Sequence, residues 1–338
     1  VSKPDALGVV EAAYIPDVCH STWLARVVHA AAPHLNRGDG VVGFAFDATD
    51  SRSIELGKPA FDGADRPIWR GMQDATRGLS PRGVRRTYLG TRPFGSVAQR
   101  FTGQSRPIFL ELSRRCYRPC GFTDLLVLHI VDASRQGCVL AAPTREAHFA
   151  SRKDIVFWSR IAAHLRSAHR LELRTLERAG SLLDPEPEAI LSPSGKVEHA
   201  VGRAKDKTAR DALRRAAKSM DRARTAAVRA EPERALELWD ELVAGRWSLI
   251  DRFDSDGRRY LIAHRNDAHV ARLMSLTPRE REIVAAALQG RPNKVIAQDL
   301  SVSESTVSEH LSIALAKLNQ RSLSALIQVM AIAGARPS

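Results

Sequence analysis

The sequence predicts a multidomain α+β protein, and three observations carry that expectation. Helix-like and strand-like patterns alternate over the first 180 residues. A proline- and acid-rich break, Asp184-Pro185-Glu186-Pro187-Glu188, is followed by a fresh round of short strands and helices. Residues 270–338 then read as helical throughout. A chain of 338 residues is long enough for two or three domains with cores of their own. With 44% hydrophobic and 26% charged residues the composition excludes wholesale disorder. The best apolar run, Leu125 to Val131, is short and contains His129, so neither a membrane span nor a membrane partner is expected. The start has no basic stretch before an apolar one, so no secretory signal is expected. Four cysteines make no disulfide framework, and a reducing cytoplasm is the expected location.

Taken in order, Val18, Trp23, Leu24, Val27, Val28 and Ala31 recur on one helical face, which Pro33 and Asn36-Arg37-Gly38 should stop. Val41–Phe46 reads as a strand and residues 60–80 as a weak helix. The Arg-, Gly- and Pro-rich stretch 81–107 reads as a loop or surface lid. Strands are expected at Pro107–Leu112, Asp124–Val131 and Gly137–Ala141, with Pro143 and Thr144 leading into a helix. From Asp154 to about Arg178 the stripe Trp158, Ile161, Leu165 and Ala168 is strongly amphipathic; it reads as core or dimer seam, with His164 and His169 on a helix expected to face a partner and packing or surface as their default role. Beyond the break, Ala189–Leu191 and Lys196–Val201 read as short strands, 203–230 as helical, and Leu236–Val243 as a short helix. Asp254-Ser255-Asp256-Gly257 between Trp247–Phe253 and Arg259–His264 is a hairpin signal. The element order of residues 1–180 resembles GAF-type sensor domains, and 189–268 resembles a small PAS-like α/β module, with 181–188 as linker.

The net charge is +13. Residues 66–118 hold twelve arginines against only Asp74 and Glu111, whereas 270–338 hold eight basic and five acidic residues. Arginine bias of the whole chain explains part of this. The shortage of acids in 66–118 leaves a small anionic ligand or nucleic acid open as an alternative.

Residues 276–333 carry the most specific pattern. Thr277 can cap a helix, Pro278 suits its first position, and Glu280 completes a capping box. Ile283, Val284, Ala287 and Leu288 form its apolar face and Gly290 ends it. A second short helix spans Asn293 to Asp299. Ser303 caps a third with Val307, Leu311, Ala314, Leu315 and Leu318 on one face, and a fourth begins at Ser322 with Leu323, Leu326, Ile327 and Met330. A tight turn between the second and third helices makes a helix-turn-helix.

Leu276-Thr277-Pro278-Arg279-Glu280, Gly290, Asn293-Lys294, Ile296-Ala297, Leu300, Ser303, Ser305-Thr306-Val307, His310 and Lys317-Leu318 together resemble the LuxR-type DNA-binding domain, over about 60 of the 338 residues. The resemblance implies a four-helix domain whose third helix enters the major groove. It places Lys294 and Thr306 on phosphates and Ser308, Glu309 and Ser312 at base edges, with Ser305 in the same DNA-contacting set. One departure stands out: Ser303 to Ala316 holds no Lys or Arg and carries Glu304 and Glu309. Fewer phosphate contacts mean less counterion release and lower affinity per domain. Glu309 could accept from cytosine N4, or could be a solvated charge.

Other patterns are weaker. Gly38-Asp39-Gly40-Val41-Val42-Gly43 matches G-x-G-x-x-G, but a helix precedes it and a strand follows, the reverse of a dinucleotide site, so a turn is expected. Cys116 and Cys120 lack the further ligands zinc needs; redox sensing stays open on the argument that Arg114, Arg115 and Arg118 lower the thiol pKa. No catalytic constellation appears, so an enzyme is not expected, and no metal or cofactor is indicated. The resulting expectation is a homodimeric transcriptional regulator bound to palindromic double-stranded promoter DNA, with RNA polymerase as a further partner. The rival is a dimerising protein that acts mainly through a partner protein, with weakened DNA binding.

Overall fold

The structure is a computed structural model that describes residues 5–15, 19–49, 54–89, 92–131, 135–146, 148–179, 187–244, 247–253, 259–265, 276–288, 290–300, 302–318 and 320–326. Two compact units are present: Val1–Val243 with Trp247–Arg265, called the body below, and Asn266–Ser338 with Ala244–Arg246.

The body is built on an antiparallel five-stranded sheet of order β2-β1-β5-β4-β3: β1 (Val41–Asp47), β2 (Glu55–Asp62), β3 (Phe94–Ser96), β4 (Asp124–Val131) and β5 (Gln136–Thr144). Alternation splits its side chains between two cores. Leu126, Leu128, Ile130, Cys138 and Leu140 face α1 (Ala6–Tyr14), α2 (His20–Leu35) and α7 (Arg152–Ala179). Phe44, Leu125, Val127, Val139 and Ala141 face the other way, toward α3 (Arg66–Arg77), α4 (Pro81–Tyr88), α5 (Val97–Arg100) and α6 (Arg106–Leu112). Covering both faces explains why β4, apart from Asp124 and His129, is apolar on both faces rather than alternating. Helix α2 lies so close to β1 that a Cβ on Gly43 would meet Val28 Cγ2 at 2.2 Å.

A second antiparallel sheet has the order β7-β6-β9-β8: β6 (Ala189–Leu191), β7 (Val197–Ala200), β8 (Trp247–Phe253) and β9 (Arg259–Arg265). It packs with α8 (Lys207–Ala223) and α10 (Pro232–Ala244), and the one-turn α9 (Ala226–Arg229) lies against α8. One apolar cluster runs from Leu7 and Val10 through Trp158 and Leu165 to Leu213, Trp239 and Leu261, so both sheets draw on it. Ion pairs add to this joint: Arg229 reaches Asp5 at 2.7 Å and Glu11 at 3.1 Å, and Arg224 reaches Glu11 at 2.7 Å. Tyr14 and Trp239 pack with ring centroids 5.9 Å apart.

Several expectations are corrected. Pro107–Leu112 is helix α6, not a strand: proline is tolerated in the first turn, and Phe109 and Leu112, three apart, are the buried positions while Ile108 and Leu110 face out. The supposed lid at 81–107 holds α4, β3 and α5, the last closed by a reciprocal Ser96–Gln99 capping box. β5 continues through Pro143 and Thr144, and α7 begins only at Arg152. Pro143 is tolerated because β1 pairing ends at Ala141, so its missing N–H costs no ladder bond on that side. Helix α1 and strand β2 had no expectation. Of the two readings of the α7 stripe, the structure favours core: Trp158, Ile161, Leu165 and Ala168 lie in the body's own core, and His164 and His169 are buried in packing rather than facing a partner.

The G-x-G-x-x-G match is a turn at Gly38–Gly40 running into β1: Asn36 Oδ1 accepts from the Gly38 and Gly40 amides at 2.8 and 2.9 Å, and both glycines have positive φ. Burial raises the thiols of Cys116 and Cys120, with Asp74 adding to it, opposite to the expected effect of the neighbouring arginines. Among the described residues no group of three His, Cys, Asp or Glu is placed to hold a metal, and no helix is long and apolar enough to cross a membrane. The expected break at 184–186, the turn 254–257, and Ile327 and Met330 lie outside the described residues.

Candidate nucleic-acid interface

The C-terminal unit contains α11 (Pro278–Leu288), α12 (Asn293–Leu300) and α13 (Glu304–Lys317), with residues 323–326 helical beyond them. Each terminus is fixed by its local sequence. Thr277 N–H donates to Glu280 Oε2 at 2.8 Å and Glu280 N–H to Thr277 Oγ1 at 3.2 Å, which closes the expected capping box. Gly290, at φ 74°, ends α11: its N–H reaches the Ala287 carbonyl and that of Arg291 the Ala286 carbonyl, a Schellman closure that a residue with a Cβ enters only at a cost. Val302 N–H returns to the Ala297 carbonyl at 3.0 Å, and Ser303 Oγ accepts from Thr306 N–H at 3.1 Å to start α13.

Two apolar clusters set the angle of α13. Val307 packs with Ile283, Ile296 and Ala297; Ala314 and Leu318 pack with Leu276, Val284 and Leu326. These positions leave the opposite face of α13 open. Ser305, Ser308, Glu309 and Ser312 are all exposed on it, and Thr306 is half-buried at its edge. Lys294 is exposed on α12. Three of these groups are already tied within the domain, Ser305 by its hydroxyl 2.7 Å from Ser303 Oγ. The Thr306 hydroxyl lies 2.7 Å from Ser303 Oγ in the cap, and Ser308 Oγ accepts from Asn293 Nδ2 at 3.0 Å across the turn.

Among the described residues, three cations of this unit are paired with local acids. Lys317 Nζ sits 2.8 Å from both oxygens of Glu280, whose side chain is 5% exposed. Burial alone would raise the Glu280 carboxyl; the bonds from Lys317 and from the Thr277 amide outweigh it and hold the group below its ordinary value. Arg279 pairs with Glu282 and donates to the Leu300 carbonyl, and Arg291 pairs with Asp299. Among the described residues, Lys294 and Arg321 are the cations here with no ion pair. The sequence pattern assigned no role to Lys317, Asn293 or Arg291; their geometry depends on which side chains the turn brings together, which spacing alone does not state.

A tri-helical unit with a tight turn between its second and third helices, and a third helix bare on one face, is a helix-turn-helix DNA-binding domain. Residues 274–330 match the family described as bacterial regulatory proteins, luxR family, and this segment is a LuxR-family domain. The transcriptional regulatory protein FixJ of Rhizobium meliloti is 41% identical over 68 residues, covering 20% of this chain and 33% of FixJ. The nitrate/nitrite response regulator protein NarL of Escherichia coli is 36% identical over 92 residues, covering 27% of this chain and 42% of NarL. The chain thus spans well under half the length of these relatives. The crystal structure of SdiA from Escherichia coli covers 88% of this chain and 83% of its own, at 13% identity and a TM-score of 0.27, too low to define a shared fold.

Proposed function

We propose that the chain is a cytoplasmic DNA-binding transcriptional regulator in which the body acts as the regulatory region and the C-terminal domain reads promoter DNA. The open face of α13 carries this reading: Ser305, Ser308, Glu309 and Ser312 line it, while the opposite face is committed to the domain's own core. In this proposal Lys294 and Thr306 hold phosphates and the open face lies in the major groove. A homodimer on a palindromic site supplies the base pairs that one helix-turn-helix lacks. Residues 1–180 serve as a GAF-like sensor domain and 189–268 as a PAS-like module, the 2-1-5-4-3 antiparallel sheet with helices on both faces supporting a sensor-type reading. The domain limits 1–180, 189–268 and 270–338 belong to the same proposal.

Salt-dependent binding tests it. Lys294→Ala should weaken binding to every sequence alike and reduce the salt slope by about one unit. Glu309→Ala should relax preference at one position per half-site if Glu309 reads a base, and strengthen binding uniformly if it is a solvated charge. A second reading, control of a partner protein with weakened DNA binding, draws support from the pairing of Arg279, Arg291 and Lys317 with local acids. It moves ahead if neither substitution alters DNA binding.

A further inference from the structure

Between the five-stranded sheet and α3 to α6 lies a small chamber of about 30 Å³, walled by Phe44, Met72, Val97, Leu125, Val127 and Val139 among others. That is room for roughly two water-sized groups. Thr76 and Leu79 form part of its wall and also part of the wall of an open groove of about 350 Å³, which Ile54, Leu56, Gln73, Val84 and Arg77, the last paired with Asp74, complete.

The polar atoms at the chamber are unequally committed. Thr76 Oγ1 donates to the Met72 carbonyl at 2.8 Å, so the Tyr88 hydroxyl, 2.6 Å away, spends its proton on Thr76. The buried Thr87 hydroxyl has no partner among the described residues. His129 is 2% exposed and lines the chamber. Arg100 Nη2 donates to its Nδ1 at 2.8 Å, which leaves the ring proton on Nε2. Burial and the Arg100 charge hold the ring well below its ordinary pKa, hence neutral. No described residue accepts from that Nε2–H. Arg100 itself is held by carbonyls, of Thr87 at 3.0 Å and Arg92 at 2.9 Å, with no carboxylate among its described partners. Burial, with Arg92 adding to it, pulls its pKa down to about 9, so it remains a cation at neutral pH. A cation without a counter-ion beside two uncommitted donors is an environment that stabilises an anion.

We propose that the chamber and groove bind a monocarboxylic acid with an apolar tail. The carboxylate takes the His129 Nε2–H and the Thr87 hydroxyl in the field of Arg100, and the tail lies along Ile54, Leu56 and Val84. The small chamber suits a head group of carboxylate size, and the groove suits a chain of several carbons. The assignment deepens, and rests on, the reading of the body as a regulatory region.

Calorimetric titration of the full chain with octanoate, in the absence of DNA, tests it. Saturable one-to-one binding is expected, with 1-octanol binding at least tenfold more weakly. His129→Phe removes the donor and should weaken octanoate by about ten- to a hundredfold, the loss of a hydrogen bond to a charged group. Leu79→Trp, at the shared wall, should block the tail to a similar extent, and it decides the matter should the His129 variant fail to fold. Equal affinity for octanol and octanoate, absence of saturable octanoate binding, or undiminished binding by folded variants would overturn the assignment. Because DNA is absent, such a failure leaves the Lys294→Ala measurement as an independent test of the DNA-contacting face.

Discussion

Helices α7 and α13 carry the same kind of sequence pattern and meet opposite fates. Both repeat apolar residues on one face with polar residues opposite. In α7 part of the polar side is buried as well: His164, Ser167, His169 and Glu172 are each at most 6% exposed, while Arg152, Lys153 and Asp154 at its start are exposed. The first sheet, α1, α2 and α10 surround it, so that part of its polar side is packing surface. In α13 the apolar face is filled and the polar face meets solvent, while Arg279, Arg291 and Lys317 are tied to Glu282, Asp299 and Glu280. Periodicity states which side of a helix packs; the number of neighbours available decides whether the other side is free to meet a partner.

Substitutions can break or sharpen this contrast. The largest effect is expected at Leu165, which is wholly buried. Leu165→Glu buries an unpaired charge and should cost at least about 4 kcal/mol, seen as loss of cooperative unfolding of the body by circular dichroism. A folded monomer with unchanged melting would reinstate α7 as an interface. Lys317→Met comes next. It leaves the buried Glu280 carboxylate without its cation; since Lys317 is itself about a third exposed, the expected cost is roughly 1–3 kcal/mol. DNA affinity should fall with the tilt of α13 while the salt slope stays as in the parent, which separates a positioning role from a phosphate contact.

The same pair has a pH signature. The folded Glu280 carboxyl is held below its ordinary value, so its stabilisation is full above the unfolded pKa near 4.5 and is lost as pH falls through the lower folded value. Acid melting of the C-terminal unit should therefore steepen below about pH 4.5, and Glu280→Gln should flatten it. The smallest effect is expected from Asp299→Asn, which releases Arg291. DNA binding should strengthen by about threefold at low salt, with a slope steeper by up to one unit. An unchanged slope would mean that Arg291 points away from DNA even when free.

The C-terminal unit was legible because its signals are local. A capping box needs only Thr277 and Glu280, a Schellman stop only Gly290, and the apolar face of α13 only its own spacing. The lid-like stretch 81–107 was not, because Phe94, Val97, Ala98 and Phe101 acquire meaning only against β4 and the opposite core. Pro107 suggested an extended start, whereas the three-residue spacing of Phe109 and Leu112 was the better guide. For α7, sequence could give the stripe but not what fills it, since α1, α2 and β4 come from distant parts of the chain. The site residues divide similarly. Exposure of Ser305, Ser308, Glu309 and Ser312 follows from spacing; the Asn293–Ser308 bond and the Glu280–Lys317 pair, 15 and 37 residues apart, do not.

Helix α1 carries a consequence for synthesis. Its apolar residues pack in the same cluster as Leu213, Trp239 and Leu261, and Asp5 meets Arg229 across 224 residues of sequence. It therefore emerges from the ribosome more than two hundred residues before the last of its partners, although α2 and α7 follow sooner. At about 5–20 residues per second that interval is on the order of ten to fifty seconds. Throughout it, Leu7, Val9 and Val10 have no complete core to enter, which makes nascent α1 a natural client for chaperones that hold apolar segments.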